Sequence, residues 1–438
     1  MKTFQDRISC LLKYELYAIM IATLAAMASQ SLLIVAVGVS VIFWTIRLFG
    51  QPRAAWRVAT PVDLAMVGLW LMLPITWWVT IDHAITGWQI LRLVNGIALF
   101  YAVVRWLSAE ISVVRLYQTF VALAAMGIFV VVMGLVSTKW PVGKSRGFDY
   151  LYSYLTGFST ASIHPNVLAG TIILFLPISI VCLVLPWVVQ WRQGHRLIGT
   201  PYTAKWSLFH ATATIFMAIG LLLTQSRGAL LGMIVAILII LFVIGSQRLR
   251  FSFCIGIAMI SVLGFVFPNT FVILISQFTS DSAISTGSIR LEIWSRAYYI
   301  VQDFPFTGIG MGNFQRVVEG MYPLLLTTEI IPHAHNLFLQ IADDLGLIGF
   351  VCWLAIAMST TIGLCAVIKR DALHLQQSLS LARYLMATGL LGSQAALLTH
   401  GLVDAVTWGG VRTAPFVWML WGTATALTLH FSAADAAH

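Results

Sequence analysis

Side chains able to do chemistry are sparse in this chain, and they recur in a few short motifs. His333-Ala334-His335-Asn336 runs into Leu337-Phe338-Leu339-Gln340 and then Asp343-Asp344-Leu345-Gly346. Two histidines at i and i+2 suit a metal, but no third ligand stands at a zinc spacing, so no metal site is assigned. An imidazole that titrates near neutrality suits a general base better. His335 is followed directly by Asn336 and a helix-forming run, whereas His333 follows Pro332 in a loop. His335 is therefore the candidate base, with His333 and Asn336 as candidate substrate contacts. The plainer reading is a histidine that merely caps the helix after it.

A second set of motifs carries arginine. Thr224-Gln225-Ser226-Arg227-Gly228 makes a very short turn between two apolar runs. The alternative for Arg227 is snorkelling to lipid phosphate. In Ser288-Ile289-Arg290-Leu291-Glu292-Ile293-Trp294-Ser295-Arg296-Ala297, the residues Ile289, Ile293, Ala297, Ile300 and Val301 fall on one helical stripe. This predicts an amphipathic helix on the membrane surface or across the mouth of a bundle, opened by Arg290 beside Ser288, with Arg296 off the stripe. His164-Pro165-Asn166 follows a loop carrying Lys139, Lys144 and Arg146. His400 and Asp404 lie near the end of a later apolar run, where a carboxylate is expensive unless paired, and Arg412 is a possible partner. Gly308-Ile309-Gly310-Met311-Gly312-Asn313 echoes a dinucleotide fingerprint, but no βαβ unit surrounds it; it reads as a tight turn at a close backbone approach.

The elements that must hold these residues are membrane helices. Of the 438 residues, 59% are hydrophobic and only 9% charged, against roughly 25% charged in a soluble domain. Twelve spans are expected, near 14–29, 32–49, 63–80, 88–105, 115–137, 166–190, 206–224, 228–246, 251–270, 345–368, 384–404 and 413–431. The run after Lys2, Arg7 and Lys13 ends in Ala26-Met27-Ala28, which resembles a leader-peptidase site; it is expected to stay as an uncleaved first helix. With both termini in the cytoplasm, most basic residues fall on the cytoplasmic side, as the positive-inside rule requires. The acids Asp82, Asp149, Asp281, Glu292, Asp303, Glu319 and Glu329 fall outside. The net charge of +9 is spread thinly over short loops, which excludes a nucleic-acid surface. The five cysteines lie in or beside apolar segments and imply no disulfide framework. Residues 1–438 read as one integral membrane domain, and the long external loop 271–344 as a lid over a membrane-level cavity.

All the candidate motifs fall on the external side. Fixed guanidinium groups there suit a phosphate or diphosphate. ATP is absent outside the cytoplasm, so group transfer needs an activated, membrane-borne donor such as a polyprenyl diphosphate sugar.

The ordered set His164-Pro165-Asn166, Thr224-Gln225-Ser226-Arg227-Gly228, Arg290-Leu291-Glu292-Ile293-Trp294, Gly308-Ile309-Gly310-Met311-Gly312-Asn313-Phe314 and His335-Asn336-Leu337-Phe338-Leu339-Gln340 resembles the O-antigen ligase (WaaL) and Wzy-C superfamily. The resemblance covers roughly residues 160–350. It implies an all-α, polytopic, GT-C-like fold and an inverting glycosyltransferase that uses no metal and no cofactor, facing the periplasm from the bacterial inner membrane. Its donor would be O-antigen on undecaprenyl diphosphate and its acceptor the lipid A–core, among membrane lipids and without nucleic acid. Carried over by motif, Arg227 and Arg290 would bind the diphosphate and His335 would deprotonate the acceptor. Around them, His333, Asn336, His164, Asn166, Lys144, Arg146, Arg296, Asp404 and Arg412 are candidate substrate contacts. The family often has Glu-x-Gly where this chain has Asp344-Leu345-Gly346. The alternatives are a polymerase of the same superfamily and, outside the enzymes, a lipid-linked oligosaccharide flippase or transporter.

Overall fold

A computed structural model describes residues 2–51, 58–142, 147–156, 163–193, 204–248, 250–252, 255–256, 259, 283–327 and 330–435. In chain order the helices are α1 (Lys2–Leu12), α2 (Glu15–Ala28), α3 (Leu32–Gly50), α4 (Asp63–Val79), α5 (His83–Ser108), α6 (Val113–Ser137) and α7 (Asp149–Thr156). They continue with α8 (Pro165–Gln193), α9 (Ala204–Thr224), α10 (Arg227–Ile244), α11 (Ala283–Asp303), α12 (Phe314–Met321), α13 (Leu337–Asp371), α14 (Ser378–Gly401) and α15 (Pro415–Asp435). Among the described residues there is no strand; one β-bridge joins Thr138 to Ile163 and ties the end of α6 to the start of α8.

Seven helices are long and apolar enough to cross a membrane: α3, α5, α6, α8, α9, α10 and α13. Shorter apolar helices stand at Glu15–Ala28, Asp63–Val79 and Pro415–Leu429. The chain is a multi-pass membrane protein. Every expected span except 251–270 coincides with one of these helices or with α14; that segment lies almost wholly outside the described residues.

Packing follows from small residues at the contacts, since lipid supplies no hydrophobic drive between helices. Helix α14 lies against α8 and α10, and α15 against α5. A Cβ on Gly232 would sit 2.7 Å from the Ala396 carbonyl oxygen, and one on Gly422 2.7 Å from that of Phe100. The helix ends expected in the cytoplasm are stapled by ion pairs. Glu15, 3% exposed, bridges Arg47 and Arg105. Asp371 pairs with Arg383 at 2.5 Å.

At the other end, α11 and α12 form a cap with its own core. Ile293, Ala297 and Ile300 of the expected stripe are buried against Ile309, Phe314, Val317, Val318 and Ala334. The stripe therefore faces protein. Arg290 does not open this helix, which begins at Ala283.

Helix α13 is two pieces joined at Gly346, whose φ of +67° and ψ of 177° are not helical. A Cβ there would lie 2.5 Å from the Phe306 carbonyl oxygen, so only glycine allows the cap to approach this closely. The short first piece, Leu337–Leu345, is set by its N-cap: Asn336 Oδ1 accepts from Phe338 N at 3.0 Å and Leu339 N at 3.1 Å.

Candidate active site

The two histidines sit in a sharp turn immediately before α13. His335 has φ +48°, one of two non-glycine residues at positive φ among those described; the other is Gln225 (φ +51°), just before Arg227. Backbone held there costs about 1–3 kcal/mol and persists only where its surroundings enforce it. Three hydrogen bonds do so at His335. Ala334 N donates to Gln340 Oε1 at 2.8 Å, and His335 N donates to His333 Nδ1 at 3.2 Å. Asn336 Nδ2 donates to the Leu402 carbonyl at 3.0 Å. At Gln225, Nε2 donates to Tyr152 Oη at 2.9 Å, and that hydroxyl donates to the Leu223 carbonyl at 2.7 Å.

The carboxylate that meets the histidines is Asp404, in the turn segment after α14. Its Oδ1 lies 3.5 Å from His335 Nδ1 and 3.9 Å from His333 Nε2. Its Oδ2 accepts from Asn166 Nδ2 at 2.7 Å, and Oδ1 accepts from Ala405 N at 2.8 Å. Burial alone would raise this carboxyl. The close contact of His335, with His333 and His400 beyond it, outweighs burial and holds Asp404 below the usual carboxylate range. It is therefore an anion at physiological pH. Burial first, and then neighbouring His335, lowers the His333 imidazole to about 4. The two imidazole rings lie 4.3 Å apart between centroids, inclined at 56°.

His400 fills the space behind this cluster. A Cβ on Gly170 would lie 3.0 Å from its Cε1, and one on Gly228 3.0 Å from its Cδ2. The N-terminus of α10, which begins at Arg227, thus abuts α14 at His400. Arg227 is exposed there. The charge of Arg290, half-buried on α11, also reaches His400. His164 acts on His333. The structure thus brings together His164, Asn166, Arg290, His333, His335, Asn336, His400 and Asp404 from the start of α8, from α11, from the turn before α13, from α14 and from the segment after it, with Arg227 exposed at the start of α10 beside His400.

Two expected residues go elsewhere and two are not described. Arg296 donates to Glu292 at 3.3 Å and to the Pro323 carbonyl at 3.2 Å. Arg412 does not pair with Asp404; its Nη1 donates to the carbonyls of Met27 at 2.9 Å and Ala28 at 3.3 Å. The reason is geometric: Asp404 turns inward to Asn166 and the histidines, while Arg412 caps the end of α2. Lys144 and Arg146 lie outside the described residues.

His333, His335 and Asp404 each offer one ligand atom, all within 4.8 Å of one another, so the three could also hold a divalent cation. Sequence spacing missed this third group because Asp404 comes from beyond the next two helices, α13 and α14. It also missed the Asp344 hydrogen bonds to Gly312, Gln340 and Trp408; an acid two residues before a glycine carries no sign of which donors will converge on it.

Residues 212–354 match the family model described as O-antigen ligase. The stretch takes in Arg227, Arg290, His333, His335 and Asp344, so the resemblance read from the motifs holds there; His164, Asn166, His400 and Asp404 lie outside it. Members of the O-antigen ligase family are glycosyltransferase-like enzymes of lipopolysaccharide synthesis. No curated protein matches the chain.

Proposed function

We propose that the chain is an O-antigen ligase, transferring O-antigen from undecaprenyl diphosphate to a sugar hydroxyl of the lipid A–core with inversion at the anomeric carbon. The observation that carries this reading is the His335–Asp404 contact at 3.5 Å, at the same mouth as the elements bearing Arg227 and Arg290. With Nδ1 turned to Asp404, Nε2 of His335 is the nitrogen left to accept a proton. The acceptor oxygen attacks the anomeric carbon and its proton passes to His335. The bond to the diphosphate breaks with its electron pair on the leaving oxygen, where Arg227 and Arg290 meet the growing charge. No metal ion and no cofactor take part. Asn166 holds Asp404 and Asn336 holds the turn; His164, His333, Lys144 and Arg146 contact the substrates. The proposal includes twelve spans in a GT-C-like arrangement, residues 271–344 closing over the site, and a periplasmic face on the inner membrane.

The test is expression in a bacterium that lacks its own ligase, with lipopolysaccharide resolved on a gel. Restored long-chain ladders support the ligase. Ladders restored only in a strain lacking its polymerase assign the chain to the polymerase of the same superfamily.

A further inference from the structure

We infer that Asp344 is a positioning residue that holds the strained His333–His335 turn against the segment carrying Asp404. The inference rests on the base assigned to His335 above. Asp344 is 1% exposed, so neither substrate can touch it. Its Oδ1 accepts from Gly312 N at 3.0 Å and from Gln340 Nε2 at 3.0 Å. Its Oδ2 accepts from Trp408 Nε1 at 2.9 Å.

Each donor leads to a different part of the site. Gln340 passes the connection on, since its Oε1 accepts from Ala334 N at 2.8 Å, between the two histidines. Trp408 stands four positions after Asp404 in the same turn segment. Gly312 closes the cap turn at φ +82°. One carboxylate thus fixes the distance between the base and its acid partner, while a third bond locks the cap above them.

The direction of the bonds explains the residue type. Three N–H groups converge, so the group at 344 must accept at both oxygens. Among the described residues no cation forms a salt bridge with it. An amide would turn an NH2 on at least one donor.

The experiment compares Asp344→Asn, Trp408→Phe and the double variant in detergent-purified full-length protein. It measures kcat, KM for the lipid diphosphate donor, and amide hydrogen exchange at residues 333–336. Asp344→Asn is expected to lower kcat about 100-fold, the scale of a small misplacement of reacting groups. KM should stay unchanged and exchange at Ala334 and His335 should quicken. Trp408→Phe should do less. The double variant should recover part of the loss, because its amide nitrogen meets a phenyl ring while its oxygen keeps Gly312 and Gln340. If Asp344→Asn fails to fold, Trp408→Phe must still quicken exchange at Ala334. Wild-type exchange and kcat in the folded variants overturn the inference, as does an effect confined to donor KM. Wild-type protein that transfers nothing, with exchange responding as described, leaves the relay standing and removes the base assignment instead.

Discussion

At His335 the backbone and the side chain make opposite demands: φ +48° favours glycine, and the proposed role as base requires an imidazole. Both His335→Ala and His335→Gly should therefore lose about 10²–10⁴-fold in rate. The glycine variant should melt at the higher temperature of the two, since alanine keeps the strain; equal melting would mean that the turn is relaxed. His333→Ala should cost less activity than either. Replacing Arg290 by lysine keeps the charge but loses the planar fork, so ladders should fade although the protein still inserts. Chelator should leave activity unchanged. Loss on chelation, restored by zinc, would turn His333, His335 and Asp404 into a metal site. The lowered His333 also predicts an acid-sensitive window. Between the ordinary histidine value of about 6.5 and the folded value of about 4, the unfolded chain takes up a proton that the folded one refuses. Thermal stability in detergent should fall as pH drops through that range, and fall less in His333→Gln. Asp404 acts in a lower window, since its stabilisation is lost only below the usual carboxylate range.

At the scale of elements, the half-helix Leu337–Leu345 carries most of the site's rigidity. Removing its cap with Asn336→Ala should cost about 1 kcal/mol, seen as a lowered unfolding temperature, and should slow transfer because the Leu402 carbonyl loses its donor as well. Apolar run length revealed the membrane helices described here, since a bilayer leaves the backbone few other solutions. The turn at Gly308–Gly312 was also legible, because its three glycines at positive φ are visible as a spacing; Asn336 was read as a substrate contact and proves to cap α13. Partners brought together by packing were not legible. Arg412 is the basic residue nearest Asp404 along the chain, yet Asp404 turns to Asn166, and nothing local in the sequence separates the two choices. The start of α11 was misplaced for a related reason: Ser288 resembles a helix opening, but the helix had already begun at Ala283.

For the whole molecule, fusion of a reporter at residue 320 should report the external side and fusions at either terminus the cytoplasm. A cytoplasmic signal at 320 would invert the fold and place the site on the wrong face. Stability should depend on the opposite end as well. Glu15 is buried between two arginines, and Glu15→Gln leaves them uncompensated, a change that costs about 3–5 kcal/mol in buried ion pairs. Loss of folded protein on size-exclusion chromatography is the measurement.

The separation of His335 and Asp404 on either side of two membrane helices has a consequence for biogenesis. The proposed base leaves the ribosome before α13 and Asp404 only after α14, so a nascent chain carries no His335–Asp404 contact until both helices have entered the bilayer and paired. A chain cut in the loop between Asp371 and Ser378 and co-expressed as two pieces should regain transfer, while the first piece alone, with both histidines and both arginines present, should remain silent.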